Sequence, residues 1–111
     1  MQNDSKVALH YRVMKLIEEN PEISQRELAR ELGLSLGKVN YCLKAFIAKG
    51  FVKVDNFRRS DNKRAYAYLL TPRGIEEKAR VTMQFFRRVE AEYKALRREV
   101  ESVGESAHDS R

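Results

Sequence analysis

Apolar residues recur at helical spacing in three stretches before residue 50. In "DSKVALHYRVMKLIEEN" Leu9, Val13, Leu16 and Ile17 fall on one side of a helix, with Asp4 and Ser5 as candidate caps and Pro21 as the stop. "SQRELARELGL" opens on Ser24 with Glu27 three residues on, a capping box whose two side chains satisfy backbone donors freed at a helix start. Leu28, Ala29 and Leu32 supply its buried face. Gly33 closes it, because a residue without a β-carbon enters the left-handed conformation at little cost. Ser35 then stands ready to cap a third helix, "LGKVNYCLKAFIAKG", in which Val39, Leu43, Phe46 and Ile47 form one stripe and Gly50 marks the end. Two helices meeting at so tight a turn predict a helix-turn-helix.

After Gly50 the period shortens. "FVKV" (51–54) alternates apolar and polar residues, and "AYAYLL" (65–70) is rich in aromatic and β-favouring side chains, so both are predicted strands. They form a hairpin around a loop of about ten residues, longer than the usual two to five. Helical spacing returns at Thr71, a candidate cap, and Pro72, suited to a first turn. The helix is predicted to run to residue 102, with no Gly or Pro inside it after Gly74.

In this last helix Ile75, Thr82, Val89, Leu96 and Val103 alternate with Ala79, Phe86, Tyr93 and Val100 at steps of four and three. That is a heptad repeat, flanked by Glu90, Glu92, Arg97 and Glu99, and it predicts a coiled coil. At about 1.5 Å per residue the helix reaches some 45 Å, more than a domain of this size covers. Its stripe, and Phe85 beside it, therefore call for a second chain. The other reading has Ile75, Ala79 and Met83 packing on the core ahead of a charged extension. "GESAHDSR" has no apolar period and is predicted to be disordered. The predicted architecture is mainly α with a small β-hairpin. A winged helix-turn-helix (5–71) precedes a carboxy-terminal dimerisation helix (72–103) and a tail (104–111).

Composition narrows the function. The 111 residues, 42% hydrophobic, support one modest core, while 34% charged residues and a net charge of +6 favour a polyanionic partner. The cations concentrate where the fold would present them. "NFRRSDNKRAY" carries Arg58, Arg59, Lys63 and Arg64 with only Asp61 among them, on a loop placed to contact flanking phosphates or enter a narrow minor groove. The outer face of the third helix offers Ser35, Gly37, Lys38, Asn40, Tyr41 and Lys44. It is small at its entrance and supplied with amide, phenol and ammonium groups that reach base edges or phosphates from a major groove.

Enzyme chemistry finds little support. Cys42 is the only cysteine, so no internal disulfide and no cysteine-cluster metal site can form. It adjoins the buried stripe, which favours packing over redox sensing by a lone thiol. His10 and His108 lie too far apart for a metal or triad spacing, His10 is read as structural, and no glycine-rich phosphate loop occurs. No catalytic residue, metal or cofactor is expected. The amino terminus lacks a signal-peptide core and no apolar run reaches bilayer length, so a cytoplasmic protein with no membrane partner is expected.

Taken together, "SQRELARELGLSLGKVNYCLKAFIAKGFV" and "NKRAYAYLLTPRG" resemble the DNA-binding lobe of MarR-type winged-helix transcriptional regulators, over residues 6–80. In that family an acidic residue, any residue and Arg precede a strand that ends in Leu-Thr-x-x-Gly. Here these are Asn62, Lys63, Arg64 and Leu70, Thr71, Pro72, Arg73, Gly74, so the resemblance makes Arg64 the wing arginine. Asn62 replaces the usual acid, with Asp61 next to it. The short chain and single long helix are most similar to small bacterial regulators from exopolysaccharide gene clusters. A homodimer joined by the heptad stripe would set two symmetric recognition helices in successive major grooves, so a palindromic operator in double-stranded DNA is expected. Larger members bind a small-molecule effector between their DNA-binding and dimerisation parts; here the effector is unknown. The competing expectation is a winged-helix protein-interaction module, whose basic loop and long helix bind a protein partner.

Overall fold

The structure is a computed structural model that describes residues 2–58, 61 and 64–109, with side chains for 5–57, 61 and 65–105. The first helix, α1 (Gln2–Glu19), starts ahead of both expected caps, so Asp4 and Ser5 lie inside it. Its core side is Val13, Met14 and Ile17, with Leu9 and Leu16 partly buried beside them. Met14, fully enclosed, extends the predicted stripe by filling the turn between Val13 and Ile17. The helix stops before Pro21, as expected from the missing N–H of that residue.

Helix α2 (Gln25–Leu32) begins with the predicted capping box: Glu27 N–H donates to Ser24 Oγ at 3.1 Å, and Ser24 N–H donates to Glu27 Oε1 at 3.2 Å. Gly33 ends it with φ 65°, and Leu34 N–H returns to the Ala29 carbonyl at 2.9 Å, so the last carbonyls are satisfied as the chain turns. Ser35 Oγ then accepts from Lys38 N–H at 3.2 Å and starts α3 (Leu36–Ala48). The buried side of α3 is Val39, Cys42, Leu43 and Phe46. Ile47, expected in that stripe, is 40% exposed. A helix turns about 100° per residue, so Cys42, one turn from Val39 and from Phe46, takes the centre while Ile47 swings to the flank.

The hairpin consists of β1 (Val52–Arg58) and β2 (Arg64–Leu70), paired antiparallel from Val52↔Leu70 to Arg58↔Arg64. The strands are longer and the loop shorter than predicted, since only residues 59–63 lie between them. Asp55 and Asn56 are weak strand formers, but a two-stranded ribbon leaves their side chains in water and asks only for backbone pairing. Val52 and Tyr68 are buried, and Tyr68 N–H donates to the Pro21 carbonyl at 2.8 Å, tying the ribbon to the turn before α2.

A knot of contacts joins this ribbon to α4 (Pro72–Asp109). Thr71 Oγ accepts from Gly74 N–H at 3.0 Å, capping the helix, and donates its own proton to the Gly50 carbonyl. Thr71 N–H meets the Phe51 carbonyl at 3.0 Å. Val81 is fully buried, Phe85 stacks on Tyr11 at 5.3 Å, and Lys78 pairs with Glu18 of α1. Ile75 and Met83, the candidates for packing on the core, are instead 55% and 49% exposed. The helix also continues through 104–109, where a disordered tail was expected. Ser, Ala and Glu beyond Gly104 contain no breaker, and adding a residue to a formed helix is far easier than starting one.

Candidate nucleic-acid interface

Opposite its buried stripe, α3 turns Gly37, Lys38, Tyr41 and Lys44 to solvent, with Ser35 exposed at its cap. Tyr41 is 78% exposed and stands furthest out. Beyond its own chain neighbours and helix backbone, a β-carbon built on Gly37 would meet nothing within 4 Å among the described residues, so the entrance to this face is open. Asn40 differs from its neighbours. It is half-buried, and its Nδ2 donates to Gln25 Oε1 at 3.2 Å, while Gln25 Nε2 donates to Tyr68 Oη, also at 3.2 Å. The first residue of α2 thus links α3 to the ribbon. Asn40 retains Oδ1 and a second N–H, the acceptor and donor that match the N6 and N7 edge of adenine.

Between α2, α3 and the ribbon lies a cleft of about 590 Å³. Gln25, Asn40 and Lys44 give it polar edges, and Ile47, Val54 and Tyr66 line it with apolar surface. Gln25 and these apolar groups were missed in the sequence. The only signals were a polar side chain at the first position of α2 and a strand alternation that leaves Tyr66 outside and Tyr68 inside.

The ribbon sets Arg58 and Arg64 directly opposite one another in its last pair, flanking the tip. Their side chains, and Arg59, Asn62 and Lys63 altogether, lie outside the described residues. Asp61, at the tip, is exposed.

On the buried side of α3 two titratable groups, His10 and Cys42, adjoin the core. His10 sits edge-on to the Phe46 ring at 4.9 Å, and burial first, then the nearby Lys6, Lys49 and Arg80 charges, depress its pKa, with Glu77 opposing them. Burial pushes the Cys42 thiol up to about 11, so it stays protonated and enclosed, conditions that disfavour nucleophilic or redox chemistry. Among the described residues, no group of His, Cys, Asp and Glu is arranged to hold a metal, and no helix is long and apolar enough to cross a membrane.

The predicted dimerisation residues occupy one side of α4. Ile75, Ala79, Phe86, Val89, Tyr93, Leu96 and Val100 are all exposed. Thr82 is half-exposed and donates its hydroxyl proton to the Lys78 carbonyl at 2.5 Å.

Residues 8–53 match the winged helix-turn-helix DNA-binding family. No curated protein matches the chain by sequence. Among solved structures, the transcriptional regulator MosR of Mycobacterium tuberculosis is similar at a TM-score of 0.59 and 20% identity, over 88% of this chain and 73% of that one. A MarR/EmrR family transcriptional regulator from an Acinetobacter species gives 0.58 and 21%, over 90% and 75%. Staphylococcus aureus MarR in complex with salicylate and kanamycin gives 0.56 and 17%, over 78% and 56%. The chain spans little more than half the length of that last protein. At these identities the likeness establishes the fold.

Proposed function

We propose that the chain is a MarR-type transcriptional regulator that binds double-stranded DNA as a homodimer. The observation that carries this is the solvent-facing side of α3, where Gly37, Lys38, Tyr41 and Lys44 stand beside a ribbon whose last strand pair is Arg58 and Arg64. In this reading α3 enters a major groove, with Lys38, Asn40 and Tyr41 at the base edges and Lys44 at phosphates or bases. Ser35 and Gly37 let the start of the helix approach the backbone. Arg58, Arg59, Lys63 and Arg64 hold the adjoining phosphates or minor groove.

A homodimer supplies the symmetry. Two recognition helices about 34 Å apart read the two halves of a palindromic operator, and the exposed stripe from Ile75 to Val100 is the surface that joins the copies. The long helix that directly follows the wing, with its exposed apolar stripe, supports a narrower assignment to the small regulators of exopolysaccharide biosynthesis genes. It follows that the protein works in the cytoplasm.

The test is a salt titration of binding to the duplex upstream of its own gene, comparing the native protein with Arg64→Ala. If each subunit neutralises three to five phosphates, log affinity falls against log salt with a slope of about −5 to −9, and the variant's slope is shallower by about 2 for the two arginines lost per dimer. Equal, shallow slopes for both proteins would favour the protein-interaction module instead.

A further inference from the structure

We infer that two copies of α4 pair antiparallel, with the local two-fold axis between Arg87 and Arg88; this rests on the homodimer proposed above and fixes its geometry. The stripe that faces solvent is distinct from the one that packs on α1. Val81 and Phe85 face the protein's own core, while Phe86, Val89, Tyr93, Leu96 and Val100 are exposed, so the partner's place is not taken by the chain itself.

Side-chain volume chooses the direction. About that axis, Ile75 meets the partner's Val100, Ala79 meets the partner's Leu96, Thr82 meets the partner's Tyr93, and Phe86 meets the partner's Val89. The two smallest side chains of the stripe are thus set against large ones, and every layer has comparable volume. In a parallel pair each residue meets its own copy. Ala79 and Thr82 would then leave underfilled layers, and Phe86 and Tyr93 would crowd theirs, which close-packed interfaces do not tolerate.

Charge agrees with volume. Residues flanking a coiled-coil seam determine orientation through the pairs they form across it. In the antiparallel register Glu76 faces the partner's Arg97, and Lys78, already held by Glu18, faces the partner's Glu99 with ammonium protons to spare. Neither flank brings like charges together. Sliding the helices one heptad toward their carboxy termini would oppose Glu90 to the partner's Glu90 and Glu92 to the partner's Glu92, and would carry Ile75 past the end of the partner's apolar stripe at Val103. The overlap from Ile75 to Val100 is roughly 38 Å long at about 1.5 Å per residue, so the two winged helices sit at opposite ends of a rod, separated on the scale of one DNA turn.

Cysteine cross-linking of the full chain tests the arrangement, using Ala79→Cys and Leu96→Cys. Both positions are exposed and the native Cys42 is buried, so neither folding nor background linkage interferes. The expected result is little cross-linking of either variant alone and a covalent heterodimer when the two are mixed and oxidised. Self-linkage of each variant alone would show a parallel pair and overturn the proposal. So would a stable dimer that links in neither case, because its interface then lies elsewhere. Sedimentation of the native chain as a monomer would instead remove the homodimer itself. As a second readout, Glu76→Arg and Arg97→Glu should each weaken dimerisation by about fivefold or more, and the double variant should recover most of that loss. Absence of recovery would count against this register.

Discussion

At the scale of single residues, two glycines on helices have opposite roles. A β-carbon built on Gly74 would lie 1.9 Å from the Phe51 carbonyl oxygen, a backbone atom that also accepts from Thr71 N–H. Ala at this position must push β1 away from the start of α4 and break the contacts that join wing and long helix. Gly74→Ala is therefore expected to lower stability by about 2–3 kcal/mol. Gly37→Ala adds its methyl group in open space and should raise stability by roughly 0.5 kcal/mol, the helix propensity gained. Chemical denaturation of both variants checks the pair, and a Gly74→Ala protein as stable as its parent would refute the steric argument. The same positions show what a sequence discloses. The Leu-Thr-x-x-Gly pattern was visible as letters, but its reason, a carbonyl pressed against an α-carbon, exists only once residues 51 and 74 meet. Gln25 was invisible for the same cause: its partners, Asn40 and Tyr68, come from two other elements.

Elements were legible where the signal is local. The capping box, the left-handed Gly33 and the Ser35 cap use residues within four positions of each other, and all three formed as expected. Strand length was not legible, because the pairing of Asp55 and Asn56 depends on the opposite strand and not on their own preference. Nor was the end of α4, where weakly polar residues leave helix and coil close in energy. The packing of α1 on α3 and α4 carries a pH dependence of known sign. His10 lies between these helices with its pKa depressed by burial and by Lys6, Lys49 and Arg80. The unfolded chain therefore binds the proton more readily, so this contribution to stability is complete above the unfolded value near 6.5 and is lost as pH falls through the lower folded value. Melting temperature should drop between pH 7.5 and pH 5. In His10→Phe, which keeps a ring against Phe46 and cannot titrate, that drop should shrink. An unchanged drop would assign the pH dependence to other groups.

For the whole molecule, the proposed function assigns DNA reading to one surface and gives another the task of setting how many reading surfaces act together. The 71 Å long axis contrasts with 28 and 22 Å across, which leaves most of α4 outside the core that α1, α2, α3 and the ribbon build. An apolar stripe held so far from its own core contributes little to the stability of one chain, but in the proposed homodimer it sets the number of phosphates engaged by a pair. Val89→Glu places a carboxylate in the middle of the stripe at a position already 45% exposed, so it should leave the fold intact and produce a monomer. The monomer keeps α3 and its wing but only one set of cations. Its salt slope should accordingly fall to about half the dimer's, from about −5 to −9 down to about −2.5 to −4.5, with a large loss of affinity because the second half-site is no longer tethered. Sedimentation and a salt series on the same preparation measure both quantities. A monomeric variant that retained the full slope would show that phosphate contacts do not scale with the number of wings, and that cations beyond α3 and the hairpin carry the binding.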